Sequence, residues 1–314
     1  MNAIPLRFAC AGAPLIGMLH PADGRPELGV LIMVAGGPQY RIGGHRQLTL
    51  WSRKLSAEGY PVFRFDFRGM GDSYGEYRDF DAAEDDIRAA LDRFFAEVPT
   101  LKNVVLWGEC NACSAAAFFA HKEPRIKGIV MLNPWVRTED GHAETVIRHY
   151  YLKRLTERSF WKKVFRFEFD ALESARSAAK LFRLARRSST DGRSGPESTA
   201  AGDDRSQPLP DRMLRGLANF KGQLMLVMSG RDIIAREFDQ LLKRSPAWQT
   251  ELAAHNTVRH ELEYADHTFS SREWRDQVAS WGVDWLRTVS ASCIVAAASS
   301  ARPGLHPARA SAEG

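Results

Sequence analysis

Short runs of apolar residues alternate with amphipathic segments along most of this chain. The two earliest runs, at 4–10 and 14–20, lie close together and are predicted to pair as an antiparallel hairpin. Later runs are predominantly apolar, at 28–34, 61–67, 104–108, 128–133 and 223–228. Such runs are typical of strands buried on both faces of a sheet, and helices are predicted between them near 45–58 and 81–97. The pattern predicts an α/β fold with a mostly parallel, doubly wound sheet.

The alternation of strands and helices is interrupted between 135 and 218. Most of this segment has a helical pattern, whereas 188–211 is rich in Ser, Gly, Asp and Pro, which predicts a mobile loop. A helical insertion in a doubly wound sheet is expected to cap the carboxyl ends of the strands, where such sheets bind ligands. The predicted division is a core at 1–134 and 219–288, a helical cap insertion at 135–218 and a disordered tail at 289–314.

A candidate nucleophile stands where the strand at 104–108 meets an Ala-rich helix. The residues from Gly108 to Ala112 read G-x-C-x-A, close to the G-x-S-x-G pattern of a strand-turn-helix corner that exposes a nucleophile. The positive end of the helix favours the thiolate of Cys110, which predicts covalent catalysis by this cysteine. Taken alone, a cysteine after a strand is more often a small core residue. Ala112 departs from the usual glycine, so the helix is expected to fit more tightly there.

Two candidate partners of Cys110 follow it in the chain. Asp232 ends a strand-like run at 227–232, and His267 ends another at 262–267. Each also has an ordinary structural interpretation, Asp232 as the N-cap of a helix and His267 as a loop residue. The order nucleophile, acid, histidine is that of α/β-hydrolases, so we predict a catalytic triad of Cys110, Asp232 and His267.

Attack on a carbonyl creates an oxyanion, which requires donors that are already in place. The backbone N–H of Asn111, directly after the nucleophile, is the first predicted donor. The second is expected in the loop after the strand at 28–34, and we assign it to Gly37 because Pro38 has no N–H. The alternative interpretation of the glycines in this loop is a tight turn.

Four segments of the chain carry a resemblance to a known family. They are GGPQYR at 36–41, FDFRGMGDS at 65–73, WGEC at 107–110, and SGRD at 229–232 with AREF at 235–238. Together they resemble the first type of exosortase A system-associated hydrolase, a bacterial α/β-hydrolase group found with exopolysaccharide and protein-sorting genes. The D-x-R-G-x-G-x-S run is widespread among α/β-hydrolases, whereas the GGPQYR loop and the cysteine corner are more specific. Over about residues 5–288, the resemblance implies an α/β-hydrolase fold and a cytoplasmic enzyme near that pathway.

Composition narrows the class of protein further. The chain has 314 residues, 44% apolar and 26% charged, which suits one large domain with an insertion. No apolar run approaches the roughly 20 residues that span a bilayer, and the first residues lack the layout of a signal peptide. Four cysteines do not make a disulfide framework, so a cytoplasmic location is expected. The net charge of +5 does not imply nucleic acid, and no motif indicates a metal or other cofactor.

The predicted cap carries a local excess of positive charge. Residues 148–187 contain 12 Lys or Arg and 4 Asp or Glu, an excess of +8. The ordinary interpretation is a solvated helix face, and the functional one is attraction of an anionic substrate or a peripheral contact with an anionic membrane surface. The residues predicted to bind substrate are Tyr40, Trp135, Lys162, Lys163 and Arg166.

The sequence thus favours an enzyme that cleaves or transfers an acyl group from a small-molecule ester, thioester or lactone through a Cys110 acyl-enzyme. Two other classes stay open. One is a thiol redox protein, because Cys110 and Cys113 form a C-x-x-C at a helix start. The other is a catalytically silent ligand-binding protein on the hydrolase scaffold. Cys113 itself is predicted either to pack in the helix or to form a regulatory disulfide with Cys110.

Overall fold

A computed structural model describes residues 3–34, 39–136 and 206–300 of the protein. The strands are β1 Ile4–Cys10, β2 Ala13–His20, β3 Leu28–Ile32, β4 Val62–Phe65, β5 Asn103–Glu109, β6 Ile126–Leu132, β7 Gln223–Ser229 and β8 Val258–Leu262. In the described residues they form one sheet in the order β1-β2-β4-β3-β5-β6-β7-β8. The β1–β2 and β2–β4 pairs are antiparallel, and all the others are parallel. The predicted hairpin and mostly parallel sheet are confirmed.

Helices cover both faces of this sheet. They are α1 Gln47–Ala57, α2 Glu84–Glu97, α3 Asn111–Phe119, α4 Leu209–Asn219, α5 Ile233–Arg244, α6 Pro246–Ala254 and α7 Arg272–Ser300. Helices α1 and α7 pack together on one face, while α2 and α3 lie on the other and α4 packs on α3. The two helices predicted near 45–58 and 81–97 correspond to α1 and α2. Among the helices of the described residues, none is both long and apolar enough to cross a membrane.

Helix α7 rests directly on the sheet through two reciprocal contacts. A Cβ atom at Gly282 of α7 would lie 2.6 Å from the Trp107 ring of β5, and one at Gly128 of β6 would lie 2.6 Å from the Trp285 ring of α7. Each tryptophan therefore fills the space above a glycine of the partner element, and both rings are buried. This close packing fixes the helix against β5, the strand that leads to Cys110.

Two predicted boundaries differ from the structure. Helix α7 continues to Ser300, beyond the start of the predicted tail at 289, because Val289 is buried and Ser292 accepts a hydrogen bond from Gln223 on β7 (2.9 Å). Helix α4 lies within the range predicted for the insertion, yet its Met213 and Leu217 are buried in the core. The rest of the predicted cap and its loop, 137–205, lies outside the described residues.

Candidate active site

Cys110 occupies the turn between β5 and α3, in a strained backbone conformation. Its φ and ψ angles are 55° and −125°, a region that side chains other than glycine rarely adopt. The N–H of Cys110 donates to the carbonyl of Leu132 at 2.9 Å, and its own carbonyl accepts from the N–H groups of Cys113 (3.1 Å) and Trp135 (3.2 Å). These bonds tie the turn to the end of β6 and hold Cys110 at the carboxyl edge of the sheet.

The helix after the turn approaches its strand closely. A Cβ atom at Gly108 would lie 2.9 Å from the carbonyl carbon of Ala112, so the strand position requires glycine. The methyl group of Ala112 is itself buried, and the corner accommodates this departure from the usual pattern. Cys113 is completely buried, and its thiol donates to the carbonyl of Gly108 at 3.3 Å. Burial, together with the charge of Cys110, raises the pKa of the Cys113 thiol well above its ordinary value.

Asp232 follows β7 and begins helix α5. Its carboxylate accepts hydrogen bonds from the N–H groups of Ile234 (3.1 Å) and Ala235 (3.2 Å), so it is the N-cap of this helix. The same carboxylate lies 2.8 Å from Nδ1 of His267. One buried carboxylate therefore caps the helix and is hydrogen bonded to the imidazole, while the catalytic role of Asp232 stays a prediction.

His267 lies in a loop and not at the end of a strand, which corrects the predicted run at 262–267. Strand β8 ends at Leu262. The chain turns there, and the N–H of Ala265 donates to the Leu262 carbonyl at 3.1 Å. Burial lowers the pKa of His267. Hydrogen bonds with Asp232 and Cys110, together with the charges of Asp232 and Glu109, outweigh burial and raise this pKa to about 10. The imidazole thus lies between the two candidate partners, Asp232 and Cys110, and both favour its protonated form.

A buried amide fixes the loop that carries His267. Nδ2 of Asn133, just beyond β6, donates to the carbonyl of His267 and to Oγ of Ser229, both at 2.9 Å. Its Oδ1 accepts from the N–H of Ser229 at 2.8 Å, and Oγ of Ser229 donates to the carbonyl of Asp266 at 2.8 Å. The sequence analysis did not identify this clamp. Its only signal is a pair of polar residues at the ends of two buried strands.

Glu109, directly before Cys110, is a second residue that the sequence analysis missed. Its side chain is buried, and one carboxylate oxygen accepts a hydrogen bond from Nε2 of the buried Gln47 at the start of α1. Burial raises the pKa of Glu109 to about 7, against the opposing charge of His267. The site therefore contains two carboxyl groups. Asp232 is hydrogen bonded to the imidazole, and Glu109 acts on the imidazole through its charge.

The remaining predicted site residues are placed as follows. Asn111 is the first residue of α3, so its backbone belongs to the helix N-terminus beside Cys110. Trp135 lies against the corner through its N–H, and its carbonyl accepts from Ser114 Oγ at 2.9 Å. Gly37, Lys162, Lys163 and Arg166 lie outside the described residues.

Tyr40 belongs to a network that joins the two loops after β3 and β4. Its hydroxyl bonds to Asp72, which also pairs with Arg41 at 2.8 Å. Asp66, fully buried, accepts from the N–H of Arg41 (2.6 Å) and from that of Asp72 (3.0 Å). The GGPQYR and D-x-R-G-x-G-x-S segments are thus bonded to each other, and the network holds Tyr40 and Arg41, which follow the predicted oxyanion donor Gly37 in the same loop.

Three features of the described residues define the class of protein. They are the strained strand-turn-helix corner, the acid and the histidine after later strands, and the eight-stranded, mostly parallel sheet. Together they are typical of an α/β-hydrolase. The chain matches the model of the alpha/beta hydrolase family over residues 31–281 and belongs to that family. Among proteins of curated function, none matches it significantly.

Solved structures with the same fold include several hydrolases. The Pyrococcus furiosus esterase Pf2001 is 16% identical, with 91% of this chain and 92% of that chain covered and a TM-score of 0.57. The esterase domain of a Rhodothermus marinus protein is 18% identical, with coverage of 92% and 99% and a TM-score of 0.55. An alpha-beta serine hydrolase homologue from Coxiella burnetii is 13% identical, with coverage of 91% and 98% and a TM-score of 0.54. At these identities the similarity concerns the fold.

Proposed function

We propose that this protein cleaves or transfers an acyl group from an ester, thioester or lactone, with Cys110 as the covalent nucleophile. The observation that carries the proposal is the placement of His267, which lies 2.8 Å from the Asp232 carboxylate and hydrogen bonds with Cys110 at the corner. A raised imidazole pKa favours a thiolate–imidazolium pair, the reactive form of cysteine in enzymes of this kind.

The proposed reaction has two steps. The thiolate of Cys110 attacks the carbonyl carbon, and the tetrahedral oxyanion is stabilised by the N–H groups of Asn111 and Gly37. When the oxyanion collapses, the bond to the leaving group breaks, and that alcohol or thiol takes its proton from His267. Water or another acceptor then gives a proton to His267, attacks the acyl carbon and releases Cys110 as thiolate. Asp232 keeps the imidazole in one orientation throughout.

The substrate is proposed to be a small acyl compound with anionic character, because of the positive charge at 148–187. Two of the structural neighbours are described as esterases, so esters are the first substrates to test. The link to an exopolysaccharide and exosortase A system, a cytoplasmic location and a peripheral contact with an anionic membrane surface are further parts of this proposal. They rest on the family resemblance and the charge pattern.

The thiol redox alternative is weakened by the surroundings of Cys113. A resolving cysteine must become a thiolate and meet its partner, whereas this thiol is completely buried and its pKa is raised. The alternative of a catalytically silent binding protein is distinguished from an enzyme by measuring both the alkylation of Cys110 and the turnover of acyl esters.

The decisive variant is Cys110→Ala. We expect it to abolish trapping of an acyl-enzyme by mass spectrometry and to lower turnover of activated acyl esters by at least about 10³-fold, as loss of a nucleophile does elsewhere. Cys110→Ser should keep weak activity, because serine needs a stronger base. Cys293→Ala, a half-buried cysteine of α7, is the matched control. Alkylation of Cys110 by iodoacetamide without turnover of any acyl ester would instead indicate a binding protein.

A further inference from the structure

The acyl chemistry proposed above makes no use of Glu109, although this residue adjoins the nucleophile. Its side chain is 6% exposed, and that of Gln47, which donates to its Oε2, is 1% exposed. Within the described residues, the other carboxylate oxygen of Glu109 and the amide oxygen of Gln47 have no hydrogen-bond partner. A single neutral donor is a weak substitute for the water that a buried carboxylate gives up, so a second stabilising group is needed when Glu109 is ionised.

The loop that carries His267 lies next to this pair, because a Cβ atom at Gly44 would lie 3.5 Å from the side chain of Thr268 and 4.0 Å from the amide oxygen of Gln47. The charge of His267 lowers the pKa of Glu109, and the charge of Glu109 in turn raises that of His267. Asp232 and Asp266 add negative charge to the same site, which raises the pKa of Glu109. The charge of His45, beside α1, acts in turn on Asp266. On the helix that follows, Cys113 also lies within the field of Glu109.

We propose that Glu109 is a positioning residue for the Cys110 reaction and acts through His267. Its carboxylate, fixed by Gln47, stabilises the imidazolium that pairs with the Cys110 thiolate, and protonation of Glu109 removes this support. The inference rests on the proposed function. Asp232 orients the imidazole through a direct bond, whereas Glu109 sets how strongly the imidazole retains its proton.

A titration of His267 tests this assignment directly. In histidine-labelled full-length protein, the His267 imidazole is assigned by its loss in His267→Gln and followed by NMR from about pH 5 to about pH 11. In Glu109→Gln, which keeps the shape and an acceptor for Gln47, the midpoint of the His267 titration should fall by about one pH unit. Glu263→Gln, an exposed change in the same loop, is the control and should leave the midpoint in place.

A second variant guards against misfolding of the first. The double variant Glu109→Met with Gln47→Met removes the carboxylate and its donor at nearly constant volume and leaves neither without its partner. The midpoint of the His267 titration should fall in this variant as it does in Glu109→Gln. If His267 titrates identically in the wild type and in whichever of these two variants is folded, the assignment is overturned.

The same data separate this inference from the proposed function. Turnover of an acyl ester and trapping of an acyl-enzyme are measured on the same samples. A shifted His267 titration with no acyl-enzyme in the wild type would contradict acyl transfer and support the role of Glu109 in the site. An acyl-enzyme with an unshifted titration would support acyl transfer and contradict that role.

Discussion

Asp232 performs two tasks with one carboxylate. It caps helix α5 through the N–H groups of Ile234 and Ala235, and it orients the imidazole of His267. The helix thereby fixes the acid, and the acid fixes the histidine, without a further side chain between them. Loss of Asp232 is therefore expected to affect both stability and reaction, whereas loss of His267 should affect mainly the reaction.

This difference gives a two-part prediction at the scale of single residues. Asp232→Ala should lower the free energy of unfolding by about 1 kcal/mol through loss of the cap, measured by urea unfolding. In kcat, the double variant Asp232→Ala with His267→Ala should be little worse than the more severe single variant, because residues that act as one unit are not additive. Independent, multiplicative losses in kcat would argue against a shared triad.

The same residues show what the sequence can predict about a site. Cys110, Asp232 and His267 are recognisable because each has a familiar place relative to strands in chain order. Gln47 and Glu109 are separated by 62 residues, and Asn133 and Ser229 by 96. No local pattern connects such residues, and their polarity has meaning only when the fold brings the start of α1 to β5 and the end of β6 to that of β7.

At the scale of elements, the ends of β6 and β7 are joined to the histidine loop by Asn133. Asn133→Ala removes three hydrogen bonds and leaves buried groups without partners, so unfolding free energy should fall by about 1–3 kcal/mol. Because the His267 carbonyl is released as well, kcat should fall more than KM changes. Asn219→Ala, at the exposed end of α4, is the control and should leave both quantities nearly unchanged. Wild-type kcat in a destabilised Asn133→Ala would restrict this residue to folding.

The contact between α7 and β5 makes a prediction about packing. Gly282→Ala places a methyl group against the Trp107 ring and should cost about 1–3 kcal/mol of unfolding free energy, measured by urea unfolding. Trp107→Phe in the same background should recover part of that loss, because the smaller ring makes room. Additive effects of the two changes would show that the helix moves away instead.

The pattern of apolar residues predicted the type of each helix or strand more reliably than the residues at which it begins and ends. Predominantly apolar runs predicted β3 to β7, since a strand covered on both faces needs them. The end of β8 was placed too late, because the turn after Leu262 depends on a backbone hydrogen bond and not on composition. The Ala- and Ser-rich stretch after 289 was expected to be disordered, yet alanine favours helix once α7 is anchored on the sheet.

At the scale of the whole molecule, charge is unevenly distributed along the chain. Residues 148–187 carry an excess of +8 in a protein whose net charge is +5. If this segment attracts an anionic substrate, added salt should raise KM for an anionic ester and spare a neutral one, with a Debye length of about 10 Å at about 0.1 M. Reversing the charges of Lys162, Lys163 and Arg166 to glutamate should imitate high salt. Equal salt responses for the two esters would leave an ordinary solvated face as the interpretation.

The overall architecture was predictable because the order of strands and helices restricts the sheet to few topologies. The antiparallel hairpin at one edge and the parallel core followed from strand spacing. The position of an insertion relative to that core could not be predicted in this way, because it depends on tertiary contacts that a helical pattern does not specify.

The strained corner at Cys110 has a consequence for the history of such chains. With φ at 55°, glycine fits this position with less strain than cysteine, so a cysteine with the proposed role of nucleophile is retained at the expense of stability. In a lineage released from selection for catalysis, drift should therefore favour glycine at 110. The acid at 232 would persist, because its helix needs it. A descendant with glycine at the corner and the acid intact would be the genetic trace of a hydrolase turned scaffold.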